Sequence, residues 1–439
     1  MPDALTILLA TDVFPPRCGG SGWSTYHLAR ALRARGHRPI IARPREGLRG
    51  SLLTGYDGLT VHELGFSSRG GSLPFVRGLN RQERFWPRFG QFLAELATRE
   101  AVDLIHGQHL ISIPAAVRAG KVTGLPTVAT VRDYWPTCPI GTRLPRCPEL
   151  QQCSTACQIC CLSRGSAPLR PIVRAALPYV TANLRRRQRA LLAADCTLAV
   201  SSYVAQVLRD GIPGLEPRVL PNFIDIESRV VSRESREQQG NADSTSLTPP
   251  TTSTHDSSQS TVLYVGKLEA HKGADLLPAA LAAVPQARFL VAGTGPLAAQ
   301  ITRECAERGV QLELLGERPN DEIMALMRTA DALIFPARWE EPLTRTLLEA
   351  GSVGLPAVAL AVGGNPDIII DGVTGLLAAE PAGLGPALAS LLADPSRRAR
   401  MADAARAHIA ANFAEAVVVP RVEALYRELV ASNHARDRR

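Results

Sequence analysis

Short apolar runs alternate with longer amphipathic segments along this sequence, and the alternation occurs twice. In the first 225 residues, LTILLAT, RPIIAR, VDLIHGQ and LPTVATV predict buried strands, and segments such as WSTYHLARALRARGH and FGQFLAELATREA predict the helices between them. The later half repeats the pattern with TVLYVGKL, ARFLVAG, VQLELLG, DALIFPA and LPAVAL as strands. Strands that alternate with helices form parallel sheets covered on both faces. The sequence therefore predicts two doubly wound α/β domains.

A polar segment separates the two patterns. From Ser235 onward the chain reads SREQQGNADSTSLTPPTTSTHDSSQST, with almost no large apolar side chain. Such a segment buries too little apolar surface to offset the entropy of ordering, so we expect a flexible linker or insertion. In such sheets ligands bind at the carboxyl ends of the strands, and two such domains predict a site in the cleft between them. The expected parts are a first domain over 1–227 with a cysteine-rich insertion at 138–161, a linker over 228–260, a second domain over 261–410, and a helix over 411–439 that crosses back to the first domain.

Composition narrows the class of protein. Apolar residues make up 45% and charged residues 21% of the 439 residues, as in soluble globular proteins. No run of eighteen apolar residues predicts a membrane span, and the N-terminus lacks the basic start of a signal peptide, so we expect a cytoplasmic protein. The net charge of +8 fits an anionic ligand, a membrane surface or nucleic acid and selects none of them. The run LRRRQRALL at 184–192 could face acidic lipid, although a solvated helix face is the simpler explanation.

Two glutamates, Glu341 and Glu349, lie eight positions apart in ARWEEPLTRTLLEAG. Glu341 follows the strand DALIFPA, and Pro342 suits the first position of a helix over PLTRTLLEAGSVG. Free backbone N–H groups at such a helix start attract a phosphate. Eight helical residues would separate the carboxylates by roughly 12 Å, which suits a sugar ring and a ribose and so indicates a nucleotide sugar. On spacing alone, two unrelated helix glutamates, one placed near the helix dipole, are the simpler explanation.

Cations and glycines also follow the predicted strands. VGKLEAHKGADLL places Lys267 and Lys272 after a strand and Gly273 before a helix, as suits a diphosphate. Surface lysines and ordinary turns are the alternatives. Bare backbone that a phosphate or sugar can approach is expected at Gly19, Gly20 and Gly22 in FPPRCGGSGWST and at Gly363 and Gly364 in AVGGNPDIIIDGVTGLL.

In this order, the stretches resemble the family 4 retaining glycosyltransferases. The resemblance rests on the GG loop after the first strand, on GKLEAHKG and AGTGP, and on the stretch from LLGERPNDEI to VTGLL, and it is dense from Gly266 to Leu377. It implies the GT-B fold, in which two Rossmann-like domains face each other across a cleft. It also implies metal-independent transfer of a hexose from a nucleotide-diphosphate sugar to a glycan, lipid-linked or small-molecule acceptor in polysaccharide biosynthesis. Nucleic acid is not an expected partner.

The resemblance assigns roles to individual residues. Glu341 would contact the donor sugar and Glu349 the ribose hydroxyls. Lys272, with Lys267 where the family commonly has arginine, would hold the diphosphate and stabilise the leaving group. The departing phosphate would take the acceptor proton, so catalysis would consist mostly of positioning and charge stabilisation. The other expected donor-binding residues are Gly19 and Gly20, which would approach the phosphates across the cleft, and Gly295, Thr344 and Arg345.

Two positions depart from the family pattern. Arg132 in TVRDYWP stands where the family often has histidine, and we place it with Asp133 on the acceptor side. Arginine cannot act as a base but can bind a phosphate or carboxylate bidentately, so Arg132 either reads an anionic donor or acceptor or is structural. Thr344 replaces the glycine of Glu-Pro-Phe-Gly and would narrow a place where phosphate usually meets bare backbone.

Six of the nine cysteines lie in CPIGTRLPRCPELQQCSTACQICC, residues 138 to 161. In a cytoplasmic protein that density favours a metal over disulfides. The two-residue spacer of Cys157 and Cys160 suits tetrahedral zinc, and Cys138 with Cys147 or Cys153 could complete the site. The set we expect is Cys138, Cys153, Cys157 and Cys160, with an iron–sulfur cluster or unliganded thiols as alternatives. Some family members with a DYW stretch carry a similar cluster, which implies a structural role.

Other functions compete with this interpretation. FLVAGTGPLA offers Gly293, Gly295 and Ala298 near a dinucleotide fingerprint, but Pro296 removes an N–H group at the helix start, which argues against a nicotinamide-dependent oxidoreductase. A sugar-nucleotide epimerase or phosphorylase, or a catalytically inactive glycosyltransferase-like subunit, would keep the fold. The stretch at 66–93 mixes Arg with Phe and Trp; it would either meet a lipid-linked acceptor at the inner membrane face or pack on the core.

Overall fold

The structure is a computed structural model that describes residues 4–16, 18–67, 84–141, 154–163, 166–226 and 259–437. It divides into two compact units. Unit 1 comprises Met1–Asn222 and Val418–Arg439, and unit 2 comprises Phe223–Val417. The corresponding boundaries predicted from the sequence were at 227 and 410. Residues 228–258 of the expected 228–260 linker lie outside the described residues.

Unit 1 contains an eight-stranded sheet in the order β3-β4-β2-β1-β5-β6-β7-β8. Its pairs are parallel except that β3 runs antiparallel to β4. The strands are β1 (Thr6–Ala10), β2 (Arg38–Glu46), β3 (Ser51–Tyr56), β4 (Leu59–Phe66), β5 (Leu104–Gly107), β6 (Thr127–Val131), β7 (Cys196–Ala199) and β8 (Arg218–Val219). The helices are α1 (Gly20–Ala34), α2 (Phe85–Arg99), α3 (Ser112–Thr123), α4 (Thr155–Leu162), α5 (Arg170–Leu192) and α6 (Ser202–Gly211).

The central strands of unit 1 are buried on both faces, which explains their continuous apolar sequence. Every residue of β5 and β6 is buried, and so is β1 after its first residue. One face of the sheet packs on α2 through Phe89 and Leu93, which join Leu8 and Ile105 in one core cluster. Because β1, β5 and β6 are neighbours, the residues that follow them meet at one edge of the sheet. The β3–β4 hairpin was not predicted.

Unit 2 contains a six-stranded parallel sheet in the order β11-β10-β9-β12-β13-β14. Its strands are β9 (Thr261–Val265), β10 (Arg288–Ala292), β11 (Leu312–Gly316), β12 (Ala332–Phe335), β13 (Ala357–Leu360) and β14 (Gly375–Ala378). Its helices are α7 (Leu277–Leu281), α8 (Ala298–Glu307), α9 (Asn320–Thr329), α10 (Arg345–Ser352), α11 (Asn365–Ile368), α12 (Leu384–Ala393) and α13 (Pro395–Phe413). The last helix, α14 (Glu415–Asp437), belongs to unit 1 from Val418 onward.

Strand order in unit 2 reverses between β9 and β12. The chain adds β10 and β11 on one side of β9, then returns to place β12 on its other side. Neighbouring residues of β9 face opposite sides of the sheet, since Val262 and Leu263 belong to different core clusters. The loops after β9 and β12 therefore meet at a topological switch point, where ligands bind in sheets of this type. The prediction of two doubly wound α/β domains is confirmed.

Candidate active site

Lys272 and Glu341 meet at the switch point of unit 2. Lys272 ends a short 3-10 turn in the loop after β9, and Glu341 lies in the loop after β12. Lys272 Nζ lies 2.5 Å from Glu341 Oε1, and the two side chains are 23% and 13% exposed. The same ammonium group lies 5.3 Å from the ring centroid of Trp339, close enough for a cation–π contact. The pair is thus a partly buried cation and carboxylate that a ligand at the strand ends can still reach.

Glycine allows these loops to approach each other. Gly273 has a φ of +69°, and a Cβ added there would lie 1.8 Å from the carbonyl oxygen of Pro336. Gly363 has a φ of +57°, and its added Cβ would lie 2.5 Å from the carbonyl oxygen of Glu341. That oxygen also accepts a 2.8 Å hydrogen bond from the N–H of Gly364. Bare backbone at Gly363 was expected for a ligand, whereas the structure shows that the chain's own packing requires glycine there.

The helix that carries Glu349 begins later than predicted. Pro342 was expected at its first position, but α10 begins at Arg345, with Thr344 as the N-cap residue. Glu341 therefore belongs to the preceding loop, and the rise of eight helical residues does not describe its separation from Glu349. The expectation was wrong because Pro342 also suits a turn before the helix. Thr344 is only 2% exposed, and its hydroxyl lies 3.3 Å from Glu341 Oε2.

Glu349 is a buried carboxylate with fixed partners. Its residue is 4% exposed. Its Oε1 accepts hydrogen bonds from Asn320 Nδ2 and from Arg345 Nε, each at 3.0 Å. Buried carboxylates persist when charged donors satisfy them. Asn320 was not among the predicted site residues, and only the position of α9 beside α10 reveals it.

Lys267 and Gly295 support the loop after β9 in different ways. Lys267 is exposed, and within the described residues its ammonium group forms no ion pair. Its carbonyl oxygen accepts a 2.8 Å hydrogen bond from the hydroxyl of Tyr264, whose pKa is raised by burial and then by the charge of Glu341. A Cβ added at Gly295 would lie 2.4 Å from the carbonyl oxygen of Leu268. Gly295 therefore lets its loop pack closely against the one that carries Lys267.

A histidine lies between two aspartates at the carboxyl edge of the unit 1 sheet. Asp12 follows β1, His109 follows β5 and Asp133 follows β6. His109 Nδ1 lies 3.3 Å from Asp12 Oδ2, and its Nε2 lies 3.4 Å from Asp133 Oδ2. Asp12 also accepts hydrogen bonds from the backbone N–H groups of Ile111 and Ser112. Asp133 was predicted from the sequence as a site residue, but Asp12 and His109 were not, although each directly follows a predicted strand.

The charges in this cluster shift one another's pKa values. Burial opposes ionisation of Asp12, but His109 and the two backbone donors outweigh it and lower the pKa of Asp12. Burial likewise opposes protonation of His109, but Asp12 and then Asp133 outweigh it and raise the pKa of His109. Burial dominates at Asp133 and raises its pKa.

Arg132 is held by amide oxygens. Its guanidinium donates to Gln108 Oε1 at 2.5 Å and to Asn222 Oδ1. Burial disfavours its charge and lowers its pKa to about 10. Its Nε is buried without a hydrogen-bond acceptor, and among the described residues no carboxylate lies within ion-pair distance of it. Both predicted roles, structural support and binding of an anionic group, are compatible with these contacts.

Gly19 and Gly20 are exposed at the start of α1. A Cβ added at either would meet no atom within 4 Å. Packing inside the described chain therefore does not require glycine at these positions, and their approach to a phosphate stays a prediction.

Two family models match the chain. Residues 18–228 match the model described as Glycosyltransferase Family 4, and residues 250–408 match Glycosyl transferases group 1. Together these matches span most of the sequence. The chain belongs to the family 4 glycosyltransferases.

Several relatives of this glycosyltransferase family member match it over part of their length. D-inositol 3-phosphate glycosyltransferase of Corynebacterium efficiens is 36% identical over 181 residues, which are 38% of this chain and 42% of that protein. Glycogen synthase of Mycobacterium tuberculosis is 33% identical over 163 residues, which are 35% of this chain and 38% of that protein. Alpha-D-kanosaminyltransferase of Streptomyces kanamyceticus is 29% identical over 176 residues, which are 38% of this chain and 45% of that protein. The matches thus span less than half the length of these three relatives.

Solved structures establish the glycosyltransferase fold. Sucrose-phosphate synthase from Thermosynechococcus elongatus has a TM-score of 0.66 at 19% identity and covers 98% of this chain and 100% of that one. Anabaena HepE in complex with UDP-glucose has a TM-score of 0.61 at 18% identity, with the same coverage. Both structural similarities identify the two-domain GT-B fold, which confirms the predicted fold class.

The cysteines of this family member lie partly outside the described residues, which exclude Cys147 and Cys153. The Sγ atoms of Cys157 and Cys161, one turn apart on α4, lie 3.8 Å apart. Two thiolates bound at about 2.3 Å to one tetrahedral zinc would be separated by about 3.8 Å, so this spacing fits zinc. Cys161 was not in the predicted ligand set, and Cys160 is exposed. Within the described ranges no three metal-ligating side chains cluster, so structural zinc stays a prediction.

Proposed function

We propose that this protein transfers a sugar from a nucleotide-diphosphate sugar to an acceptor hydroxyl, with retention of configuration at the anomeric carbon. The observation that carries the proposal is the contact between Lys272 and Glu341 at the switch point of unit 2. It places a cation for a diphosphate beside a carboxylate for sugar hydroxyls. Glu349 supplies a second fixed carboxylate in the same unit. The UDP and UDP-glucose named for Anabaena HepE support a nucleotide-sugar donor.

The proposed chemistry follows from these groups. The bond from the anomeric carbon to the phosphate oxygen breaks as the bond to the acceptor oxygen forms on the same face. The departing phosphate takes the acceptor proton, and the nucleoside diphosphate leaves. Lys272 has three N–H donors, so it can contact Glu341 and still stabilise the charge that develops on the leaving group. Lys267 would add a second cation to the diphosphate, and the steps use no metal ion.

The carboxylates would orient the donor. Glu341 would accept a hydrogen bond from a hydroxyl of the donor sugar, and Glu349 would accept one from the ribose. A carboxylate fixed before the substrate binds costs no reorganisation during the reaction, which is how preorganised groups accelerate transfer.

Thermal stabilisation by ligands tests this function. The purified protein is heated with UDP-, GDP-, ADP- and dTDP-sugars and with NAD and NADP. We expect a rise in the unfolding temperature with one nucleotide-sugar class, because a ligand that binds only the folded state stabilises it, and we expect Glu349→Ala to abolish the rise. A response to NAD alone would contradict the proposal. Donor hydrolysis, followed by release of the nucleoside diphosphate, separates a working transferase from an inactive homologue.

We also propose that unit 1 contacts an anionic membrane surface, where a lipid-linked acceptor would be found. Residues 150–194 contain no Asp or Glu. Within them α5 exposes Arg174, Arg185, Arg186 and Arg189, and apolar side chains are exposed at Leu169 (43%), Ile172 (50%) and Leu192 (47%). Basic and apolar side chains on one helix suit an anionic interface. Among the described helices, none has the length and apolarity needed to span a bilayer.

Vesicle flotation tests the membrane contact. The protein should float with vesicles of phosphatidylglycerol and phosphatidylcholine and stay unbound with phosphatidylcholine alone. Reversal of charge at Arg185 and Arg189 to Glu should weaken flotation, whereas the same reversal at Arg303 in unit 2 should not. Equal binding by both variants would argue against α5 as the contact.

A further inference from the structure

The Glu341 carboxylate is held at both of its oxygens. Lys272 Nζ contacts Oε1 at 2.5 Å, and the Thr344 hydroxyl lies 3.3 Å from Oε2. The backbone of Glu341 is fixed as well. Its N–H donates to the carbonyl of Trp339 at 2.7 Å, and its own carbonyl accepts from Gly364. From the sequence, Lys272 was assigned to the diphosphate and Thr344 to donor binding, and neither contact with Glu341 was predicted.

The Thr344 hydroxyl does not perform its usual local role. Threonine at an N-cap normally accepts a hydrogen bond from a backbone N–H in the first turn. Thr344 is the N-cap residue of α10, yet its side chain forms no such bond. The side chain is buried and directed at Glu341 Oε2 and at Asn365 Oδ1, which lies 3.1 Å away. Helix capping therefore does not explain why threonine occupies position 344.

Asn365 fixes the other side of the Thr344 hydroxyl. Its residue is fully buried, and its Nδ2 donates to the carbonyl of Leu360 at 3.0 Å. That bond orients the amide so that Oδ1 faces Thr344. The hydroxyl has one proton and two acceptors, Asn365 Oδ1 at 3.1 Å and Glu341 Oε2 at 3.3 Å, and an ionised carboxylate is chemically the better acceptor of the two. Asn365 thus keeps the Thr344 hydroxyl beside the Glu341 carboxylate.

We propose that Thr344 is a positioning residue, whose hydroxyl holds the Glu341 carboxylate towards the donor sugar while Lys272 interacts with the leaving diphosphate. The inference rests on the proposed transferase function and deepens it. From the sequence, Thr344 was expected to bind the donor and to narrow a place where phosphate usually meets bare backbone. In the structure the Thr344 side chain is instead buried, and its hydroxyl faces Glu341, which we assign to the donor sugar. Where glycine occupies this position, that contact cannot form.

Two substitutions separate the effect of the Thr344 hydroxyl from the effect of its side-chain volume. Thr344→Val keeps the shape and removes the hydrogen bond, and Thr344→Ser keeps the hydroxyl. With a nucleotide sugar that the protein turns over, we expect Val to lower kcat by about tenfold, as for loss of one charge-assisted hydrogen bond. The donor KM should change by less than about twofold, and Ser should retain kcat within about threefold of wild type. A Val variant with wild-type kcat, or a Ser variant as impaired as Val, would overturn the proposal.

A double-mutant cycle tests whether Thr344 acts through Glu341. If it does, Thr344→Val should have little further effect on kcat in a Glu341→Gln background, because residues in one hydrogen-bonded unit are not additive. If the fold-reductions in kcat of the two single variants multiply in the double variant, the positioning role is contradicted.

Crystal structures of the Thr344 variants test the positioning role separately from the transferase function. If the wild-type protein turns over no nucleotide sugar, the transferase proposal fails, and the orientation of Glu341 still tests Thr344. In the Val variant we expect the Glu341 carboxylate to rotate away from its wild-type position, and in the Ser variant to keep it. An unmoved carboxylate in Thr344→Val would overturn the positioning role.

Discussion

Lys272 Nζ and Glu341 Oε1 lie 2.5 Å apart although the two residues are 69 positions apart in the sequence. The contact exists because β9 and β12 are neighbours in the sheet of unit 2. Each partner lowers the cost of partly burying the other. The pair is therefore a preformed charged group at the place where the sheet order reverses.

We expect Lys272→Ala and Glu341→Gln each to lower transfer at least about a hundredfold, as for loss of a preorganised transition-state contact. The initial rate of nucleoside diphosphate release in the presence of acceptor measures this. Lys121→Ala, which removes an exposed lysine of α3, is the control and should retain full activity. Full activity in either site variant would show that transfer does not need the substituted residue.

Glu349→Ala should act mainly on donor binding. Its carboxylate is fixed by Asn320 and Arg345 and is assigned to the ribose, so we expect the Kd for the nucleoside diphosphate to rise about tenfold or more, as for a hydrogen bond to a charged group. Calorimetric titration measures this. Arg345→Ala leaves the Asn320 contact and should raise the Kd less. An unchanged Kd in Glu349→Ala would contradict the ribose assignment.

Tyr426→Phe should destabilise unit 1. The hydroxyl of this fully buried tyrosine on α14 lies 2.6 Å from His106 Nδ1. The amide of Gln108 also faces Nδ1, so Nδ1 is the acceptor and Nε2–H donates to Thr130 Oγ1. We expect the free energy of unfolding in urea to fall by about 1–2 kcal/mol. Tyr26→Phe, which removes an exposed hydrogen bond to Asp57, should lower the free energy of unfolding by less. Equal decreases in the two variants would contradict a stabilising role for the buried network.

His109 should make stability depend on pH above about 6.5. Its pKa is raised from 6.5 by Asp12 and Asp133 against the opposing effect of burial. A raised pKa in the folded state stabilises the fold below pH 6.5, and that contribution is lost as pH rises through the folded value. The difference in unfolding free energy between wild type and His109→Gln should therefore shrink from pH 6 to pH 9. A difference that stays constant would show that His109 does not titrate in this range.

The purified protein should contain zinc. We expect about one zinc per chain by elemental analysis, with thiolate ligands that include Cys157. Cys157→Ser should lower the zinc content, and Cys305→Ser, a buried cysteine of unit 2, should not. Metal-free wild-type protein would contradict this prediction, and iron in its place would favour the cluster alternative.

The strands were predictable from the sequence, whereas their neighbours in the sheets were not. Runs such as TILLA and TVATV are apolar throughout because both faces of a central parallel strand are buried. That signal is local, and it located β1, β6, β9 and β12. Their order in the sheet depends on which crossover each helix makes, and no local pattern records it. The helix start at Arg345 was missed for a related reason, since Pro342 fits both a first helical turn and a loop.

The sequence by itself determined the fold class, the family and the residue types available for chemistry. Apolar periodicity and short motifs carry that information within a few tens of residues. Only the tertiary structure decided which side chains meet. Lys272 reaches Glu341 because two strands pair, His109 lies between two aspartates because three strand ends share an edge, and Thr344 faces Glu341 because its hydroxyl does not cap α10. These contacts depend on packing between distant segments, and a side chain's direction there is set by the whole fold.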